Sequence, residues 1–409
     1  MIVETQRTHD PTDGREAWAR LAVALTVSTI GGIGLWSVVV ALPTIQREFG
    51  IDRADASLPY TATMIGFAAG GILMGRLTDR FGVVVPLLIG AVTLCLGYVL
   101  AAQATEFWHF VAAQALLIGM LGSSASFGPL VADISLWFLR RRGIAVAIVA
   151  SGNYLSGTIW PPLLQHGIET VGWRTAYMII GVCCLVTLLP LALMLRRRAP
   201  VDHGSTPVSM HRGDVGSGHS KPMVQVLLIA AAIGCCVAMS MPQVHIVAYC
   251  GDLGYGPARG AEMLSLMLGF GIVSRLASGL VADRIGGLPT LIAGSALQTL
   301  ALMLYLPSDG LTSLYIVSAL FGLSQGGIVP SYALIVRDFF PAREAGGRIS
   351  LVLMMTIIGM ALGGWMSGAI YDWTGSYQAA FLNGIAWNLL NLVIAVWLYF
   401  GRPRQLRPA

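Results

Sequence analysis

Charge is what this chain has least of. Asp, Glu, Lys and Arg make up 11% of its 409 residues, about half the share of a soluble domain. Hydrophobic residues reach 56%, so the shortage of charge excludes a water-surrounded globule and assigns the chain to lipid. Catalytic motifs are missing too: no GxxxxGK[ST] phosphate loop, HExxH zinc motif or GxSxG elbow occurs. An enzyme is therefore not expected, and ATP-driven work by this polypeptide lacks its usual loop. Cys95, Cys183, Cys184, Cys235, Cys236 and Cys250 show no CxxC or Cys/His spacing. They read as buried thiols rather than a disulfide framework or a metal site, and no cofactor is expected. The formal net charge of +5 is no nucleic-acid signature, because its distribution follows topology. The polar opening MIVETQRTHDPTDGREAWAR carries no cleavable-signal pattern, so the first helix is expected to be retained.

What the chain has is apolar windows of spanning length. They fall near 19–42, 57–75, 83–104, 108–136, 143–165, 173–195, 223–248, 262–281, 288–306, 311–336, 348–370 and 376–400, each close to the ~20 residues that cross a bilayer. Twelve transmembrane helices are predicted, with short turns between them except at 196–222, a Gly/Ser/Pro/His-rich stretch that reads as a flexible linker. The expected organisation is an N-terminal tail (1–18), a six-helix bundle (19–195), the linker (196–222), a second bundle (223–400) and a C-terminal tail (401–409). With the N-terminus inside, twenty of the 25 Lys and Arg fall on the cytoplasmic side; Arg47, Arg53, Arg174 and Arg259 fall outside. That bias places both termini in the cytoplasm. The remaining cation, Arg275, belongs to neither side.

The halves repeat. GRLTDRFG at 75–82 returns as GLVADRIG at 279–286, and GWRTAYMIIG at 172–181 returns as GSYQAAFLNG at 375–384. Pro129 answers Pro330, and Trp137–Phe138 answers Phe339–Phe340, all at offsets of 201 to 204. A parallel six-helix duplication points to a transporter whose site lies between the halves near mid-membrane.

The GRLTDRFG loop with its echo resembles the signature loop of the major facilitator superfamily, and the resemblance covers the whole chain. It implies a gating role for Gly75, Asp79, Arg80, Gly279, Asp283 and Arg284; glycines permit a tight turn, and Asp79 can accept from an Arg or a helix N-terminus. Val83 and Gly287 stand where the family usually has a basic residue. Trp137-Phe138-Leu139-Arg140-Arg141-Arg142, followed by the small residues Ser151, Gly152 and Gly157, resembles the start of helix 5 in the monocarboxylate and oxalate/formate branch. In that branch an arginine of helix 8 binds the substrate carboxylate, and Arg275 occupies the matching place. This chain has Gly271 where animal relatives often carry an acid, and Gly31-Gly32-Ile33-Gly34-Leu35-Trp36-Ser37 where they carry an acid or lysine. The resemblance thus implies the anion site without its usual proton-coupling groups.

Physical chemistry singles out the same arginine. Arg275 is the one charge in MLSLMLGFGIVSRLASGLV, 263–281, and a guanidinium in such a helix costs at least ~2.5–3.5 kcal/mol and does not discharge itself. It should face protein or a watery cavity. Asp133 lies at a similar depth, giving two readings: resting partner of Arg275 and coupling group, or local partner of Arg140 or Arg142. Asn153, Tyr154, Tyr332, His245 and Trp36 are polar or amphipathic groups within helices 5, 10, 7 and 1. Each is a candidate pocket residue, with packing or a helix–helix hydrogen bond as the alternative. Met241-Pro242-Gln243 and Trp160-Pro161-Pro162 are expected to break or bend helices 7 and 5.

The reading is an all-α membrane protein, two pseudo-symmetric six-helix bundles moving a small organic anion, most simply a monocarboxylate, by alternating access. A proton gradient or counter-exchange supplies the energy. The expected setting is a multi-pass chain in a bacterial inner membrane, monomeric, with lipid but no nucleic acid as partner. Proton-coupled drug efflux and a non-transporting ligand sensor are the alternatives.

Overall fold

In hydrocarbon each backbone N–H and C=O must find its partner within the segment, so the apolar runs become helices. The computed structural model describes residues 13–138, 140–197 and 220–401. Most of the linker and parts of both tails lie outside the described residues. Among the described residues twelve spans are present, one on each expected window: α1 Arg15–Phe49, α2 Arg53–Phe81, α3 Val84–Ala102, α4 Phe107–Trp137, α5 Arg142–Val171 and α6 Trp173–Met194. The second half follows as α7 Lys221–Asp252, α8 Pro257–Ile285, α9 Gly287–Tyr305, α10 Leu311–Phe339, α11 Glu344–Thr374 and α12 Tyr377–Phe400. An even number of crossings brings Arg15 and Phe400 to one face, here the terminal face; the opposite one is the far face.

The duplication is structural. In the first half α1 packs on α5, α2 on α4 and α3 on α6; in the second α7 packs on α11, α8 on α10 and α9 on α12. Turn glycines repeat as well. Gly82 (φ 81°) and Gly286 (φ 88°) stop α2 and α8 in the same left-sided conformation, which a side chain resists. These, rather than Gly75 and Gly279, make the turns of the repeated loop; the latter are interior helical residues.

Four helices are interrupted at mid-depth. α1 breaks at Gly32, α4 passes through wide and tight turns between Ala113 and Ser126, α5 breaks at Ser151 and α10 at Gly326–Gly327. Such backbone is tolerated inside a membrane where it lines a cavity or is covered by protein. The expected break at Pro242 is absent, since α7 runs unbroken from Lys221 to Asp252. The Pro161–Pro162 pair also stays within one helix, Gly152–Val171.

The halves meet toward the far face, through α2 against α11, α5 against α8 and α7 against α1. Toward the terminal face they part. Residues 279–281 and 283–285 of α8 are exposed in succession, and consecutive helical residues point to every side, so this end of α8 is not packed between neighbours. A Cβ at Gly75, Gly143, Gly279, Gly346 or Gly347 would meet nothing within 4 Å. The terminal-face ends of α4 and α10 likewise pack against helices of their own bundles, so the bundles part here and leave a cleft.

Candidate functional site

At the closed end of that cleft sits Arg275. Its Nη1 donates to the Ala150 carbonyl on α5 at 3.0 Å, the acceptor that the Ser151 break leaves available. The guanidinium carbon lies 4.4 Å above the Tyr154 ring centre. Nε is buried without a partner, and among the described residues no carboxylate forms an ion pair with Arg275. A half-buried fixed cation thus crosses from one bundle to the other with donors to spare.

The neighbours of Arg275 are packed by small residues. Gly271, one turn earlier on α8, leaves room for the Tyr154 ring: a Cβ there would stand 2.5 Å from its Cε1. Gly157 lets Leu268 of α8 and Trp36 of α1 converge on α5, where an added Cβ would lie 2.2 and 2.8 Å from them. The Trp36 indole donates to the Asn153 carbonyl (3.1 Å) and to its side-chain oxygen (3.3 Å). Arg275, Tyr154, Asn153 and Trp36 thus lie together across α8, α5 and α1.

Three candidates are elsewhere. Asp133 does not meet Arg275, nor Arg140 or Arg142. It takes Nε and Nη2 of Arg20 at 2.7 and 2.8 Å, while Arg20 also bonds the Leu195 carbonyl at 3.0 Å and stacks over Trp137 at 4.7 Å. Equal depth along two helices says nothing of azimuth, and this carboxylate faces α1 and α6 within its own bundle. Tyr332 is fully buried and donates to Asn391 of α12 at 2.8 Å, so it braces the second bundle and does not face the first. His245, also fully buried, spends Nε2 on the Gly364 carbonyl (2.8 Å) and Nδ1 on the Tyr377 hydroxyl (3.0 Å). Asp79 and Asp283 are exposed and hold no ion pair among the described residues, as an open terminal face requires. Cys183 is exposed rather than buried.

Sequence reasoning passed over the far-face closure. Arg53, counted as a loop charge, is only 7% exposed. From α2 it reaches Asp252 of α7 through Nη1 (3.0 Å) and Nη2 (3.2 Å), and Tyr377 of α12 at 2.6 Å. Asp372 of α11 accepts the N–H groups of Arg53 and Ala54 at 2.9 and 2.7 Å, a carboxylate set on the positive end of α2. The Thr61 hydroxyl then bonds the Ala361 carbonyl at 2.9 Å, and Ser265 of α8 donates to the Thr158 carbonyl of α5.

This arrangement has relatives. The Major Facilitator Superfamily sequence profile matches residues 24–313 and 263–409. The chain belongs to that superfamily. It is a multi-pass membrane transporter and not an enzyme. Over 419 residues it is 29% identical to monocarboxylate transporter 11 of Mus musculus, covering 98% of this chain and 91% of that one. It is 27% identical over 403 residues to monocarboxylate transporter 13 of Bos taurus, at 95% and 91% coverage. An MFS-type transporter of Penicillium oxalicum is 26% identical over 372 residues, at 88% and 84% coverage. Among solved structures, a bacterial homologue of the human lysosomal transporter Spinster superposes with a TM-score of 0.71 at 15% identity, covering 95% of this chain and 98% of that one; it shares the fold.

Proposed function

We propose that this transporter carries a small organic anion, a monocarboxylate, between its two bundles, with Arg275 as the carboxylate's partner. The observation that carries the reading is the state of that side chain: a permanent cation at the closed end of the cleft, held by one backbone carbonyl and an aromatic face and bonded to no acid among the described residues. A carboxylate would accept from the spare donors of the fork, while Tyr154, Asn153 and Trp36 shape the space around it. The similarity to monocarboxylate transporters 11 and 13 supports the same substrate class. Export of lipophilic cations would instead call for a carboxylate where Arg275 stands.

The terminal face is cytoplasmic in this reading, since Arg76, Arg80, Arg140–Arg142, Arg196–Arg197, Arg284 and Arg337 all border it. The cleft then opens inward and the Arg53 network closes the outside. Bound anion cancels the charge at the junction of α5 and α8, which lowers the cost of closing the cleft around it and links occupancy to rocking of the bundles. A proton gradient or counter-exchange drives the cycle; the Arg20-bound Asp133 is a scaffold of the first bundle rather than the coupling group.

A thermal-stability screen of purified protein tests the substrate class. Short carboxylates should raise the melting temperature with saturation, and their neutral carboxamides should not. Equal stabilisation by acids and amides would overturn the reading.

A further inference from the structure

Beside the arginine lies a pair of amides that the reading above leaves unused. Gln243 of α7 and Gln325 of α10 are 2% and 0% exposed, and Nε2 of Gln243 donates to Oε1 of Gln325 at 2.6 Å. This single bond leaves Oε1 of Gln243 and Nε2 of Gln325 buried without a protein partner. Exchanging the roles of both amides changes nothing in kind: the pair always presents one acceptor and one donor.

Its place follows from the α10 break. Gly326 lets α10 back onto α8 so closely that an added Cβ would come within 2.3 Å of the Gly271 carbonyl and 2.6 Å of the Arg275 nitrogen, and the Gly326 N–H bonds Ser274 at 3.2 Å. The preceding residue, Gln325, therefore projects beside Gly271: its Nε2 would lie 3.6 Å from a Cβ there, with the Tyr154 ring against the same point. Tyr154 carries the guanidinium on its face and meets the amide side of the site at its edge. Gly271 precedes Arg275 by four residues, about 6 Å along the helix toward the far face.

We infer that the Gln243–Gln325 pair is a second anchor of the binding site, reading a hydroxyl or comparable donor–acceptor group at the end of the substrate remote from its carboxylate. This inference rests on the role given to Arg275. A hydroxyl can donate to the free oxygen and accept from the free nitrogen at once. The Tyr154 ring has the guanidinium over its face and the amide pair past its edge, so a hydroxyl beside the carboxylate stays on the guanidinium side while one at the far end of a five-carbon acid extends toward the pair. A hydroxyl there pairs the two amide atoms that an apolar tail leaves as they are, a difference that corresponds to roughly tenfold in affinity.

The test is equilibrium binding of pentanoate, 5-hydroxypentanoate and 2-hydroxypentanoate to the purified full chain in nanodiscs. The 5-hydroxy acid should bind roughly tenfold tighter than pentanoate, and the 2-hydroxy acid should show no such gain. Gln325→Leu and Gln243→Leu should each erase the difference in affinity between 5-hydroxypentanoate and pentanoate. Equal binding of all three acids by the wild type, or a 5-hydroxy preference that survives both substitutions, would overturn the second anchor and leave the Arg275 reading standing. Failure of all three to bind would overturn the carboxylate site and the anchor with it. If neither variant folds, the wild-type order alone supports or overturns the inference.

Discussion

Removing Arg53 should unlatch the far face. Its side chain makes two bonds to Asp252 and one to Tyr377 across the junction of the bundles. The Asp252 side chain is 34% exposed, so water screens that pair and it contributes about 1 kcal/mol. The buried Tyr377 bond adds about 1.5 kcal/mol. Arg53→Ala should therefore shift the equilibrium toward far-face opening by about 2.5 kcal/mol, roughly 70-fold. A cysteine at Thr61, in a background with the native cysteines replaced, reports this shift because Thr61 is held against Ala361 in the closed state. An impermeant maleimide applied from the far face should label it tens of times faster in Arg53→Ala than in its parent, and faster again with substrate absent. Asp252→Asn should accelerate labelling by a smaller factor. Rates within twofold of the parent for both variants would refute the latch.

Other substitutions separate scaffold from site. Asp133→Asn breaks a buried pair and should cost about 3–5 kcal/mol of stability, seen as a lower melting temperature, with the pH profile of uptake unchanged; a displaced pH optimum would return Asp133 to the coupling machinery. Tyr332→Phe removes one buried hydrogen bond, so the protein should lose about 1 kcal/mol while uptake keeps its KM; a raised KM would place the phenol in the pocket. Gly157→Val puts side-chain carbon where Leu268 and Trp36 converge and should abolish far-face closure, measured as loss of uptake in protein that still reaches the membrane.

Much of the architecture was legible because lipid imposes one rule on every segment. Apolar length located all twelve spans, and the 204-residue echo of GRLTDRFG foretold the paired packing of the bundles. Arg275 stood out for a related reason, since a charge in hydrocarbon announces itself. Asp133 misled because depth is read from position in the sequence, whereas partner choice depends on which side of a helix faces which neighbour. Arg53 was hidden by its address: at a helix start it looks like an ordinary loop cation, and only the fold brings α7, α11 and α12 around it. The Gln243–Gln325 pair lay 82 positions apart with no spacing to flag it. Prolines also proved poor guides to breaks: Pro161, Pro162 and Pro242 lie inside continuous helices, while the interruptions fall at glycines and serines of α1, α4, α5 and α10.

The central claim is that a carboxylate binds the fork of Arg275. Equilibrium binding of a short carboxylate to Arg275→Lys measures it most directly, because lysine keeps the charge and loses the paired donors. The account predicts a loss of roughly tenfold or more in affinity, and a further loss in Arg275→Gln, with both proteins folded and the Thr61 reporter still closed. Wild-type carboxylate affinity in Arg275→Gln would contradict it.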